Sequence, residues 1–87
     1  MDNSNGLTVN VFDLKTGLRT YKSVEYVRIV SSDYNLLIML DHEPIIGEIQ
    51  GKVDIKEKDN EEVHIENIRA SFMNSHNTFN LMILEEK

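Results

Sequence analysis

Leu7, Val9 and Val11 alternate with Thr8, Asn10 and Phe12. A period of two places successive side chains on opposite faces, so this segment reads as a half-buried strand. Asp13 to Gly17 carries turn chemistry, with Gly17 free to take a positive φ, and Leu18 to Tyr21 is expected to return antiparallel. Val24 to Val30 is β-branched and aromatic, which suits a pleated surface, and Ser31-Ser32-Asp33 breaks it. Tyr34 to Leu40 is apolar at almost every position. The pattern predicts a strand covered on both faces at the centre of the core. Pro44 bars a central strand through Asp41-His42-Glu43-Pro44 and makes a corner there.

Beyond the corner, Ile45 to Ile49 is a second apolar piece, punctuated by Gly51. Val53 and Ile55 alternate with Lys52, Asp54 and Lys56 as an edge-type strand. Val63 and Ile65, then Ile68 to Met73, and finally Phe79 to Leu84 continue the series across the turns Lys58 to Glu61 and Asn74 to Asn77. Apolar spacings of three and four are rare, and no convincing helix emerges. The pattern predicts an all-β domain, a small β-sandwich or flattened barrel of about eight to ten short strands. Residues 1–6 are expected to be a flexible N-terminus and residues 7–87 a single domain.

Composition narrows the function. The 87 residues allow one core, and such a small domain buries roughly 60 per cent of its unfolded surface, so a bound partner is expected to raise its stability. With no cysteine there is no disulfide framework, thiolate zinc site or cysteine nucleophile, and a reducing cytoplasm is the expected compartment. Nine basic residues against 15 acidic ones give a net charge of −6 without a basic stripe, which disfavours nucleic acid and anionic membranes. Leu36 to Leu40 is far too short to span a bilayer, and Met1 to Gly6 does not read as a secretory leader.

Catalytic and metal-binding signatures are missing. Gly6, Gly17, Gly47 and Gly51 form no phosphate-binding loop, and Gly51-Lys52 runs into Val53. His42, His64 and His76 lack the spacing of a zinc motif, although folding could bring ligands together. His42 between Asp41 and Glu43 is an oriented base on paper, but no nucleophile motif accompanies it, and fixing a corner is the more economical role. The acid pairs Asp54 with Glu57 and Glu61 with Glu62 read as solvated faces, without a calcium loop. Met39 and Met82 are expected to fill core gaps, and Met73 to lie on an adaptable surface. No cofactor is expected, and the residues read as a protein that binds another protein.

The order of these pieces resembles the amino-terminal β-sandwich domain of the rotary ATP synthase epsilon subunit. The likeness rests on the opening strand Leu7 to Val11, the stretch Val24 to Ile29, and the His-x-Pro corner His42-Glu43-Pro44. It continues through Ile45 to Ile49, Gly51, Lys52 to Ile55, and Phe79 to Leu84. Ala70-Ser71-Phe72 stands where the family has Gly-Gly-Phe, and family glycines near the corner fall on Tyr34, Leu37 and Asp41. The resemblance implies a central-stalk protein, non-catalytic and without cofactor, that packs on a gamma-like rotor subunit above the c-ring. It implies a part in proton-driven ATP synthesis and a cytoplasmic place, held near the membrane through other subunits. The sequence ends where the family continues into two helices, so inhibition and nucleotide binding are not expected. His42, Pro44, Ile45, Ile46 and Ile49 are the partner-binding residues that the resemblance implies.

Overall fold

The computed structural model describes residues 6–86. Of the expected flexible N-terminus, residues 1–5 lie outside the described residues, and Gly6 packs so closely on Val24 that a Cβ would stand 2.7 Å from the Val24 carbonyl oxygen. Six strands follow: β1 (Leu7–Asp13), β2 (Gly17–Ser31), β3 (Asn35–Ile38), β4 (Ile45–Glu57), β5 (Glu62–Ser75) and β6 (Thr78–Glu86). They form one sheet in the order β1-β6-β5-β4-β2-β3, and a further β1–β2 pairing closes five of them into a barrel. All pairs are antiparallel except β1 with β6. The all-β class and barrel-like closure agree with the sequence.

The strands number six because three of them are long and bent, each joining two segments that the sequence pattern separates. β2 runs 15 residues, β4 13 and β5 14. In β2 and β5 the join is a bulge. Ser23 and Asn67 have φ of 56° and 58°, and the β2 and β5 registers slip beside them. An unpaired extra residue bends a strand and resets which face its side chains occupy. Hence Ile65 and Ile68 both point inward although they stand three positions apart, and Val24 and Val27 do the same across a further register slip, between Val24 and Tyr26 against β4. Read with a strict period of two, each bulge looks like the end of a strand.

Three expectations are corrected. Tyr34 to Leu40 is not the centre of the core: among the described residues β3 pairs only with β2, Ile38 alone of this segment is fully buried, and Leu37, Met39 and Leu40 are exposed. A four-residue strand at a sheet margin has one side to bury. Val53 to Ile55 is not edge-type, because β2 and β5 flank it and all three residues are buried. Met39 and Met82 lie outside the core as well, while Met73 is on the surface as expected. Inside the barrel, Phe72 and Phe79 stack with ring centroids 5.5 Å apart.

The ends are tied by polar contacts. Lys15 donates its backbone N–H to Asp13 Oδ1 at 2.9 Å, and Gly17 takes φ 82°, completing the expected β1–β2 turn. His76 and Asn77 both have positive φ between the paired residues Ser75 and Thr78, the form that suits strand twist in a two-residue hairpin.

Candidate functional site

Register places two different surfaces on the outside of the barrel. On one, Arg28 of β2 lies opposite Asp54 of β4, which lies opposite His64 of β5. The next row is Tyr26, Lys56 and Glu62. Directly opposed side chains on one face meet, and here they make a polar network. His64 Nδ1 is 2.7 Å from Asp54 Oδ1, and His64 Nε2 is 3.6 Å from Glu62 Oε1. Lys52 Nζ stands 3.6 Å from Asp54 Oδ2, Arg28 stands 3.8 Å from Glu62 Oε2, and the Tyr26 hydroxyl donates to Glu62. Arg28 also lies over the Tyr26 ring, 5.2 Å from its centroid.

Asp54, only 2% exposed, is the buried charge of this network. Its hydrogen bond raises the His64 pKa above the ordinary 6.5, with the Asp54 and Glu62 charges adding to the effect. The Tyr26 phenol is likewise raised, first by its bond to Glu62. Asp54, Glu62 and His64 could offer ligand atoms that all lie within 4.8 Å of one another, a donor set suited to zinc. Lys52 and Arg28 stand beside the two carboxylates, and together these side chains make a cross-strand ion network. No motif announces it, since residues 54 and 64 meet only through strand pairing.

The second surface is apolar. Leu18, Phe12, Met82 and Ser71 form one row across β2, β1, β6 and β5, and Thr20, Asn10, Asn80, Met73 and Ile46 form the next. Phe12, Leu18, Ile46, Met73 and Met82 are all exposed, and an open groove of about 490 Å³ runs between them. A hydrogen-bonded ladder crosses the face: Thr20 Oγ1 donates to Asn10 Oδ1, and Asn10 Nδ2 donates to Asn80 Oδ1, both at 2.9 Å. A continuous apolar face on a small domain is the usual mark of a docking surface.

The five residues singled out from the resemblance divide between surface and core. Ile46 is 75% exposed at the end of the apolar face, whereas Ile49 is 1% exposed and belongs to the core. Ile45 packs against the core from its margin. His42 and Pro44 sit on the corner before β4, where His42 Nδ1–H donates to the Glu43 carbonyl at 2.7 Å and the His42 backbone N–H reaches the Met39 carbonyl at 3.2 Å. His42, His64 and His76 each bond to a different local partner. Phe12, Leu18 and Met82 escaped the sequence reading because each lies in a strand whose inward face is also apolar.

No protein-family model matches the chain, and no curated protein matches it. Among solved structures it is similar to a chain in the cryo-EM structure of the Tetrahymena thermophila mitochondrial ATP synthase central stalk and c-ring. The TM-score is 0.69 at 9% identity, covering 91% of this chain and 63% of that one. This chain therefore spans less than two thirds of that chain's length. At this identity the likeness is one of fold.

Proposed function

We propose that the protein is a non-catalytic, epsilon-like central-stalk subunit of a rotary ATP synthase or a related ATPase, binding a gamma-like rotor subunit and coupling it to the membrane ring. The observation that carries this reading is the barrel fold shared with a chain from an ATP synthase stalk structure. The order of segments around His42-Glu43-Pro44 supports it independently. The apolar face supplies the means. Ile46, Met73, Met82 and Phe12 offer a rotor subunit contiguous apolar contact without disturbing the core beneath, and Ile45 and Ile49 hold the strand that presents Ile46. In this role the protein transmits torque at the cytoplasmic face of the membrane and touches no substrate.

The test is recovery of tagged protein from its native cells after mild crosslinking, with mass spectrometry of stoichiometric companions. Gamma-like and alpha/beta-like subunits among them are the expected result. Their absence removes the reading, and a different stoichiometric partner makes the domain a free-standing binding module of another complex.

A further inference from the structure

The β1–β2 hairpin differs in charge from the rest of the molecule. Residues 14–24 contain Lys15, Arg19 and Lys22 but no Asp or Glu, in a chain of net charge −6. Among the described residues none of these three forms an ion pair, whereas Arg28, Lys52, Lys56 and Arg69 each have a carboxylate within 4.0 Å. The same hairpin exposes its largest apolar side chains. Leu14 is 93% exposed beside Lys15 in the turn, and Leu18 is opposite Phe12 on the outer face. Tyr21 packs toward the core, so alternation directs Lys22 outward on the side of Leu18 and Thr20. Arg19, opposite Val11, takes the reverse of the ribbon.

We infer that this hairpin, with the apolar stripe that continues through Phe12 to Met82, is the docking site for an amphipathic protein segment whose carboxylates flank its apolar side chains. The apolar positions of that segment cover Leu18, Phe12 and Met82, and its carboxylates meet Lys15 and Lys22. This rests on the docking role proposed above and names the chemistry of the partner. An acidic segment is the complement because these cations have no carboxylate partner among the described residues, and complementary rim charges speed encounter and fix register. The overall negative charge does not prevent it. Screening over about 8 Å at physiological ionic strength leaves the nearest charges in control at contact. An anionic membrane is the poorer complement, because a broad anionic surface faces the whole acidic molecule at once.

The test uses the full chain, isotope-labelled for NMR, with a synthetic helical peptide bearing a Leu face flanked by Glu, and a second peptide with Lys in place of each Glu. Vesicles containing phosphatidylglycerol form the third arm. The Glu peptide is expected to displace the amide signals of Leu14, Leu18 and Met82 and to bind about tenfold more tightly than the Lys peptide. The double variant Lys15→Glu, Lys22→Glu is expected to keep its melting temperature, because both side chains are exposed, and to invert the preference. Equal affinity for the two peptides, no binding of either, or displacement centred on Leu37 and Met39 overturns the inference. Binding of vesicles without binding of the Glu peptide overturns it in favour of a lipid surface. Recovery of a non-rotary partner from cells removes the proposed function and leaves this charge preference intact, so the two can fail separately.

Discussion

His64 Nδ1 stands 2.7 Å from Asp54 Oδ1 because β4 and β5 pair residue 54 directly with residue 64. The bond joins an exposed imidazole to a nearly inaccessible carboxylate, which holds the proton on His64 more tightly than in the unfolded chain. A pKa raised on folding stabilises the folded state wherever the group is protonated. The contribution is complete below the ordinary histidine value of about 6.5. It disappears as pH rises through the higher folded value. Melting temperature should therefore fall across that window in the native protein and stay flatter in His64→Gln. Parallel curves for the two proteins would remove His64 from the account.

Gly51 is where β4 leaves β5's first partner segment and begins to pair with β2. A Cβ there would lie 2.1 Å from the Val30 carbonyl oxygen, which is backbone and cannot rotate away. Gly51→Ala should destabilise by about 2 to 3 kcal/mol through forced strand separation. Denaturant unfolding measures this, and a loss below about 0.5 kcal/mol, the scale of ordinary surface changes, would show that the strands part easily.

Asn77 clips three segments together. Its backbone carbonyl accepts from the Thr8 N–H at 3.0 Å, and its Oδ1 accepts from the Asp41 N–H at 2.7 Å. It also takes φ 61° in the β5–β6 turn. Asn77→Ala loses both side-chain bonds to Asp41 and adds left-handed strain, about 2 kcal/mol together. Asn77→Gly should recover the strain part alone. Equal losses in the two variants would assign the whole effect to the hydrogen bonds.

Ile46 and Ile49 share a strand and differ in what they face. Ile49→Ala should cost about 2 to 4 kcal/mol of stability by opening a hole in the core. Ile46→Ser should leave stability within about 0.5 kcal/mol and weaken partner binding. Loss of stability in the Ile46 variant, with binding unchanged, would remove Ile46 from the docking face.

Asn74 is 1% exposed, and neither side-chain polar atom has a hydrogen-bond partner among the described residues. Replacing an unpaired buried amide by an apolar group can be neutral or favourable. Asn74→Val should keep or raise the melting temperature; a clear fall would mean that the amide contributes a bond of its own.

The sequence by itself determined the all-β class, the opening hairpin with its Gly17 turn, the polar turns and the surface position of Met73. These depend on side-chain period and on residues such as Gly and Pro that act through their own backbone, so neighbours in sequence suffice to read them. Tertiary structure decided the rest. Ser23 and Asn67 look like breaks because a bulge and a strand end share the same local chemistry, and only the partner strand shows that pairing resumes beyond them. Tyr34 to Leu40 looks like a core strand, yet its burial depends on a second neighbour that β3 lacks among the described residues. The Asp54 and His64 network and the Phe12 to Ile46 face are assembled by register between strands up to 70 positions apart, as with Asn10 and Asn80. Register is a property of pairs of strands, fixed by which faces can be buried together, and a single segment does not contain it.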